Sequence, residues 1–524
     1  MRTVTGLTKA RRARAPDLLA LDLNCAIYHC VRLQQQLTPY TEASRGVYEQ
    51  AVVDRTIAYI QQLDRYVGAA ALYVAVDGVA PMAKLKQQRM RRFKSAVVAE
   101  EEAALKGKGK EERWDTNAIT PGTDFMEGLT RALYAFQERN KSRVAVSPAD
   151  EPGEGEQKIM ERLRNEERRD VVIYGLDADL IVLALYHHAV HGSTVDLIRE
   201  ETEFGGGGVK VDALGVEQFL YLDTTHLADV LYANYARDGR TRVQFVADFV
   251  GAMSLQGNDF VPHGMGLTIK LEGIERVLEI LKSIETPLVL VSDDKTASYR
   301  METLRFVVDR LATEEEMQVL TYSRKKLTTR TGGMGATDVE RALSRYQDQP
   351  LEWRVEEALV TRVAGEESRG RFCLRFEWAK RYDELALEGA GPVVASALYC
   401  EALGWTLAYY SGVPVDTEWY YPWALPPRFA SLRTHLRSLA AVPIPCTKRP
   451  ALTPKQQLTM VLPASSFNLL PAEYKTICAR NPWAFPVAWP VQSLGRRYLW
   501  ECEPVIPIVT PSQIRMWIEE IYEP

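Results

Sequence analysis

No run of the 524-residue chain is apolar and uncharged over the roughly 18–20 residues that a membrane-spanning helix needs, so no membrane contact is expected. The seven cysteines include no CxxC pair, which argues against a zinc ribbon or a disulfide framework and favours a reducing compartment. The N-terminus, MRTVTGLTKARRARAPDLLALDLN, is basic but lacks the apolar core and small-residue cleavage site of a signal peptide. Its RRARA stretch reads as a solvated tail, with a nuclear address as the alternative. The expected compartment is therefore cytoplasmic, or else nuclear. Self-similarity at solenoid periods is also missing. Nor is there an excess of positive charge: the formal net charge is −5. That does not exclude a nucleic-acid binder, because binding depends on where charge sits rather than on its sum.

What is present is ordinary globular material, 46% hydrophobic and 25% charged, long enough for two or three domains. Residues 17–30 (DLLALDLNCAIYHC) read as a buried strand ending near Asp22, then a turn into a helix. AALYVAVDG (70–78) and VVIYGLDADL (171–180) repeat the scheme, with helical patterns at 47–67 and 125–140 between them. Strands alternating with crossover helices predict an α/β fold with a mainly parallel sheet, whose ligands collect at the carboxyl ends of the strands. KGKGKEER (107–113) reads as an exposed basic loop, EFGGGGVK (203–210) as a flexible turn, and TTRTGGMGATD as a hinge. From about residue 346 the texture becomes aromatic-rich helix and proline-rich loop. The division expected is 1–300 for the catalytic domain, 301–345 for a helical linker and 346–524 for a second helical region packed against the first.

GLDADLIVLAL (175–185) sets Asp177 and Asp179 two residues apart at the mouth of an apolar run. Like charges so placed repel unless a cation lies between them. Asp22 and Asp77 end similar strands, PGEGEQKIM offers Glu154 and Glu156 on a glycine-rich turn, and GNDF offers Asp259. Each alone is well explained as a helix cap, a turn former or a charge favoured by a helix dipole. Seven together, without paired histidine or cysteine, point to hard cations, Mg²⁺ with Mn²⁺ substituting. Seven carboxylates exceed what one octahedral ion uses and fit two ions about 3.5–4 Å apart, the arrangement for phosphodiester hydrolysis.

Directly after Asp77, VAPMAKLKQQRMRRFKSA carries Lys84, Gln88, Arg91 and Arg92 at i, i+4, i+7 and i+8 of a helix. A solvated basic face is the plain reading. Its position beside a candidate metal ligand supports the other, a cradle for a terminal phosphate.

DGVAPMAKLKQQRMRRF, ITPGTDFM, PGEGEQKIM, YGLDADLIVLAL and GNDFVPH, in this order, closely resemble signature stretches of the Xrn/Rat-type 5′→3′ exoribonucleases. GWTLAYYSGVP…WYYPW, VLPASSFNLLPAEY and WECEPVIPIV resemble that family's second conserved region, so the resemblance covers most of the chain. It implies a PIN-like 5′-nuclease fold and a two-Mg²⁺ enzyme that degrades single-stranded RNA bearing a 5′-monophosphate, processively, to nucleoside 5′-monophosphates. By motif, the seven acids above are the family's metal-binding residues, and Lys84, Gln88, Arg91 and Arg92 its 5′-phosphate pocket. The usual Met-Gly-Val/Ile-Pro start is replaced by the basic lead, so duplex exclusion is expected to differ. Where the family stacks a histidine on the leading base, this chain has Tyr28 followed by His29. The family's SWSWYYP appears as DTEWYYP, which leaves Trp419 as stacking partner or as a core anchor. The alternatives are a flap or DNA 5′ nuclease, which shares the acidic site, and a catalytically quiet RNA-end reader. Protein partners are not legible.

Overall fold

The computed structural model describes residues 7–522, apart from 11, 108–112, 167–168, 176, 202–208, 212–216, 331–332 and 364–370. The basic loop at 107–113 and the glycine turn at 203–210 therefore fall largely outside the described residues, as does part of the expected hinge.

Seven strands form one mixed sheet: β1 (Thr8–Lys9), β2 (Leu18–Asp22), β3 (Ala71–Ala75), β4 (Val144–Ser147), β5 (Asp170–Tyr174), β6 (Thr194–Glu200) and β7 (Phe219–Asp223). Their order is β1-β7-β6-β5-β2-β3-β4. From β6 to β4 all five strands are parallel, whereas β7 and then β1 add antiparallel at one edge. The chain leaves β2 towards β3 and β4, then returns to build β5 and β6 on the other side. The crevice between β2 and β5 is thus the point where strand order reverses, the place a doubly wound sheet offers a ligand.

The near-continuous apolar strands are explained by burial on both faces. Along β2, Leu18 and Ala20 enter one core and Leu19 and Leu21 the other, and β5 divides Val171/Ile173 from Val172/Tyr174 in the same way. Each fully buried leucine here contributes about 1.5–3 kcal/mol. Helices α1 (Leu23–Leu37), α2 (Arg45–Val67), α3 (Met82–Leu105), α4 (Asp124–Arg139), α5 (Gly155–Asn165) and α6 (Asp179–His191) connect the parallel strands. Then follow α7 (Thr224–Tyr235), α8 (Arg242–Met253) and α9 (Gly273–Ser283).

The segment read as a linker is α10 (Met301–Thr328) and α11 (Asp338–Gln347). Leu304, Val307, Val308 and Leu311 of α10 lie in the same core as the sheet. Beyond come α12 (Trp378–Ala386), α13 (Pro392–Ser411), α14 (Phe429–Leu436) and α15 (Pro454–Val461). Helix α3 joins the two regions, for Leu85, Met90 and Phe93 share a third core with Leu458, Val461, Val509, Ile514 and Trp517. At its centre Arg89, 1% exposed, donates to the carbonyls of Pro507 (3.0 Å), Met460 (2.6 Å) and Ala484. Its guanidinium lies 4.4 Å from the Phe93 ring and 5.3 Å from that of Phe485. Burial pushes Arg89 down to about 9, so it remains charged at neutral pH.

Candidate active site

Four adjacent parallel strands bring the acids to one end of the sheet. Asp22 is the last residue of β2, Asp77 follows β3, Glu154 and Glu156 follow β4, and Asp177 and Asp179 follow β5. Asp259 arrives from the turn after α8, where Asn258 accepts from the backbone N–H groups of Phe260 and Val261 at 2.9 Å. Local geometry then sets the carboxylates. The Asp77 carboxylate accepts from the Gly155 N–H at 2.7 Å, while its own N–H donates to Asn24 at 3.1 Å. Gly155 is required here: a Cβ would stand 2.6 Å from Asp22 Oδ1. At the start of α6 the Asp179 N–H points to Asp177 Oδ1 at 3.4 Å.

Two partners come from the second region. Tyr409 donates to Glu154 Oε2 at 2.9 Å, and Tyr410 to Asp179 Oδ2 at 2.8 Å, both from α13. Sequence reasoning missed them. The only signal was an adjacent tyrosine pair ending an otherwise apolar helix.

The seven carboxylates form one electrostatic unit. Burial raises Asp22 well above the ordinary carboxylate range, and Asp77, Asp177 and Glu154 raise it further. Glu156 is raised likewise by burial and, against the pull of Lys84, by Glu154, Asp179 and Asp177. Burial, then Asp259 and Asp177, pushes Asp179 up to about 7. Glu154 is raised by burial despite Lys84 beside it. The positive charge among them is the Lys84 ammonium, 2.7 Å from Glu154 Oε1 and 2.6 Å from Asp259 Oδ2. Gln87 also donates to Asp259, at 3.3 Å.

Among the described residues no three of these groups already stand at metal-cage geometry. The donor set nevertheless fits a hard cation: Asp22 Oδ1 and both Glu156 carboxylate oxygens are buried without a hydrogen-bond partner. Asp22, Glu154, Glu156 and Asp179 would take up protons on folding, because their native values exceed the unfolded ones. Stability of the metal-free protein is accordingly expected to fall as pH rises from about 4 to about 7. Glu315 and Asp248, also raised, contribute in the same sense, so the cluster is read from the difference between melting curves in EDTA and in Mg²⁺. Mg²⁺ should flatten the slope. Identical slopes in the two would remove the metal reading.

Along α3, Lys84, Gln88 and Arg92 form one buried stripe facing the acids. Gln88 Oε1 and Arg92 Nη1 have no partner, and burial lowers Arg92 to about 10. Arg91 stands apart from them, exposed on the neighbouring stripe. Tyr28 is half-buried and lies beside Arg92. The reading of His29 as an RNA contact is corrected. It is 3% exposed, its ring nitrogen meets Glu217 at 2.8 Å and its ring lies 5.0 Å from Tyr59. As the seventh residue of α1 it points into the core, so it cannot stack on a base. Trp419 takes the anchoring role: it stacks on Trp405 at 5.7 Å and donates to Glu401 at 2.9 Å.

Residues 2–201 match the family described as XRN 5′-3′ exonuclease N-terminus, and residues 379–522 the Xrn1 helical domain. The chain belongs to the XRN 5′-3′ exonuclease family. Human 5′-3′ exoribonuclease 1 is 27% identical over 95% of this chain and 32% of its own length. Chicken 5′-3′ exoribonuclease 2 is 26% identical over 97% of the chain and 65% of its own length. The exoribonuclease 2 of Schizosaccharomyces pombe is 32% identical over 51% and 31%. The chain thus spans between about a third and two thirds of these XRN relatives.

Proposed function

We propose that this XRN-family chain is a 5′→3′ exoribonuclease acting processively on single-stranded RNA that carries a 5′-monophosphate, and that it releases nucleoside 5′-monophosphates. The observation that carries the reading is the acid cluster on four parallel strand ends, flanked by the buried Lys84–Gln88–Arg92 stripe. Two Mg²⁺ ions, or Mn²⁺, held by Asp22, Asp77, Glu154, Glu156, Asp177, Asp179 and Asp259, would supply an activated water and charge neutralisation at the leaving oxygen. The chain's own groups do the rest. Arg92, with an unpartnered N–H, and Lys84 would hold the terminal phosphate and so fix which phosphodiester meets the acids. Tyr409 and Tyr410 hold Glu154 and Asp179 in place from outside the sheet. Tyr28, beside Arg92, offers a ring on which the leading base would stack. The same reading assigns a reducing compartment, cytoplasmic or nuclear, which suits seven cysteines that form no disulfide among the described residues.

The test is a time course on one 3′-labelled RNA bearing a 5′-monophosphate, triphosphate or hydroxyl, in Mg²⁺ and in EDTA. Loss of the monophosphate RNA alone, in Mg²⁺ and without laddered intermediates, is expected. Digestion of flap DNA in preference to that RNA, or tight binding without digestion, would overturn the reading. Arg92→Ala should reduce the preference for monophosphate over hydroxyl by about 10- to 100-fold, the worth of one charge-assisted hydrogen bond of about 1.5–3 kcal/mol. Arg91→Ala, on the exposed stripe, should cost less.

A further inference from the structure

A cavity of about 1050 Å³ is not centred on the acids but touches them at Asp259. It lies between α3 and the second region. Gln87, Arg91 and Lys94, at i, i+4 and i+7, form the α3 stripe that faces it, beside the Lys84–Gln88–Arg92 stripe. Asp259 stands at the border of the two, ion-paired to Lys84 and hydrogen-bonded by Gln87. Helix α3 therefore has Tyr28 and Arg92 on one side of the cluster and this cavity on the other.

The cavity wall is positive, with seven lysines and arginines against three carboxylates. Lys94 meets only carbonyls, those of Trp500 at 2.6 Å and Cys502 at 2.7 Å. Arg496 meets His263, which burial holds down at about 4 and so leaves neutral, at 2.6 Å. Gln256, 7% exposed, lines the cavity with neither side-chain polar atom partnered. Beside these cations the Trp500 side chain is 58% exposed and stacks near-parallel on Tyr498, with centroids 5.7 Å apart and planes within 10°. Cations, an unsatisfied amide and a partly exposed indole are the elements that hold a phosphate and a base together. The volume matches that of small-molecule sites, about 300–1,000 Å³.

We infer that this cavity binds a nucleoside 5′-monophosphate and is the chamber into which the released nucleotide passes. The role as an exit rests on the proposed hydrolysis, whereas the nucleotide site does not. A product that leaves towards Asp259 clears the cluster without backing out past the incoming strand.

Binding of AMP is measured calorimetrically in EDTA, so that neither metal nor turnover contributes. Arg92→Ala protein serves beside the wild type, to remove binding in the 5′-phosphate stripe. AMP should still bind Arg92→Ala, and adding either Trp500→Ala or Lys325→Glu, the latter at a lysine of α10 that lines the cavity, should weaken it at least tenfold, with melting curves confirming the fold of each. Failure of AMP to bind, or binding abolished by Arg92→Ala and untouched by the other two, would overturn the proposal. So would loss of affinity for long RNA with AMP binding intact, which would make the cavity a strand path. AMP binding in a protein that never degrades RNA would keep the nucleotide site and remove the exoribonuclease reading instead.

Discussion

Asp177→Ala is expected to slow single-turnover release of the 5′ nucleotide a thousandfold or more, a loss of about 4 kcal/mol in transition-state stabilisation. Asp177 is the most exposed of the six acids at the ends of β2, β3, β4 and β5, yet its charge acts on Asp22, Glu156 and Asp179 together. On the proposed function, removing it would take one ligand from the metals, and it takes one repulsive charge from the cluster. The two effects separate by experiment. Hydrolysis should collapse, while the melting temperature in EDTA should stay level or rise, and binding of 5′-phosphorylated RNA should persist. Near-normal turnover would show that the cluster is not the reaction centre. A fall in EDTA stability would mean that Asp177 has a structural partner rather than the repulsive role assigned to it.

Arg89→Ala is expected to cost about 3–5 kcal/mol of stability, the range for breaking a buried charged network. The arginine is buried between two phenyl rings and serves three carbonyls, all supplied by the second region. Alanine would leave those carbonyls unsatisfied and open a cavity in the core that joins α3 to the C-terminal third. Lysine keeps the charge but cannot spread donors over three acceptors, so Arg89→Lys should recover only part of the loss. Urea unfolding of the two variants would check this. A midpoint shift equivalent to under about 1 kcal/mol for Arg89→Ala would refute the cross-link.

The parallel sheet was legible because strand ends announce themselves: an apolar run followed by Asp, three times over, is a pattern in the linear chain. The basic helix was legible for the same reason, since a spacing of four residues is local. What was not legible is tertiary. Arg89 lies within the same basic run as Arg91 and Arg92, and nothing in the run distinguishes the arginine that becomes buried from those near the site. His29 follows Tyr28 directly, but successive residues of a helix point about 100° apart, which sends one ring to the wall near Arg92 and the other to Glu217 and Tyr59. Tyr409 and Tyr410 needed the docking of α13, about 250 residues downstream of the carboxylates they touch.

Those two hydroxyls make the reaction centre joint property of both halves of the chain. All seven acids belong to the first region, but two of them are held by hydroxyls of the second, so on the proposed function a proteolytic cut or a small molecule that prised α13 away from the sheet would stop hydrolysis without coming near a scissile bond. On the proposed function an inhibitor need not compete with RNA: the seam between α13 and the sheet is a second place at which to act.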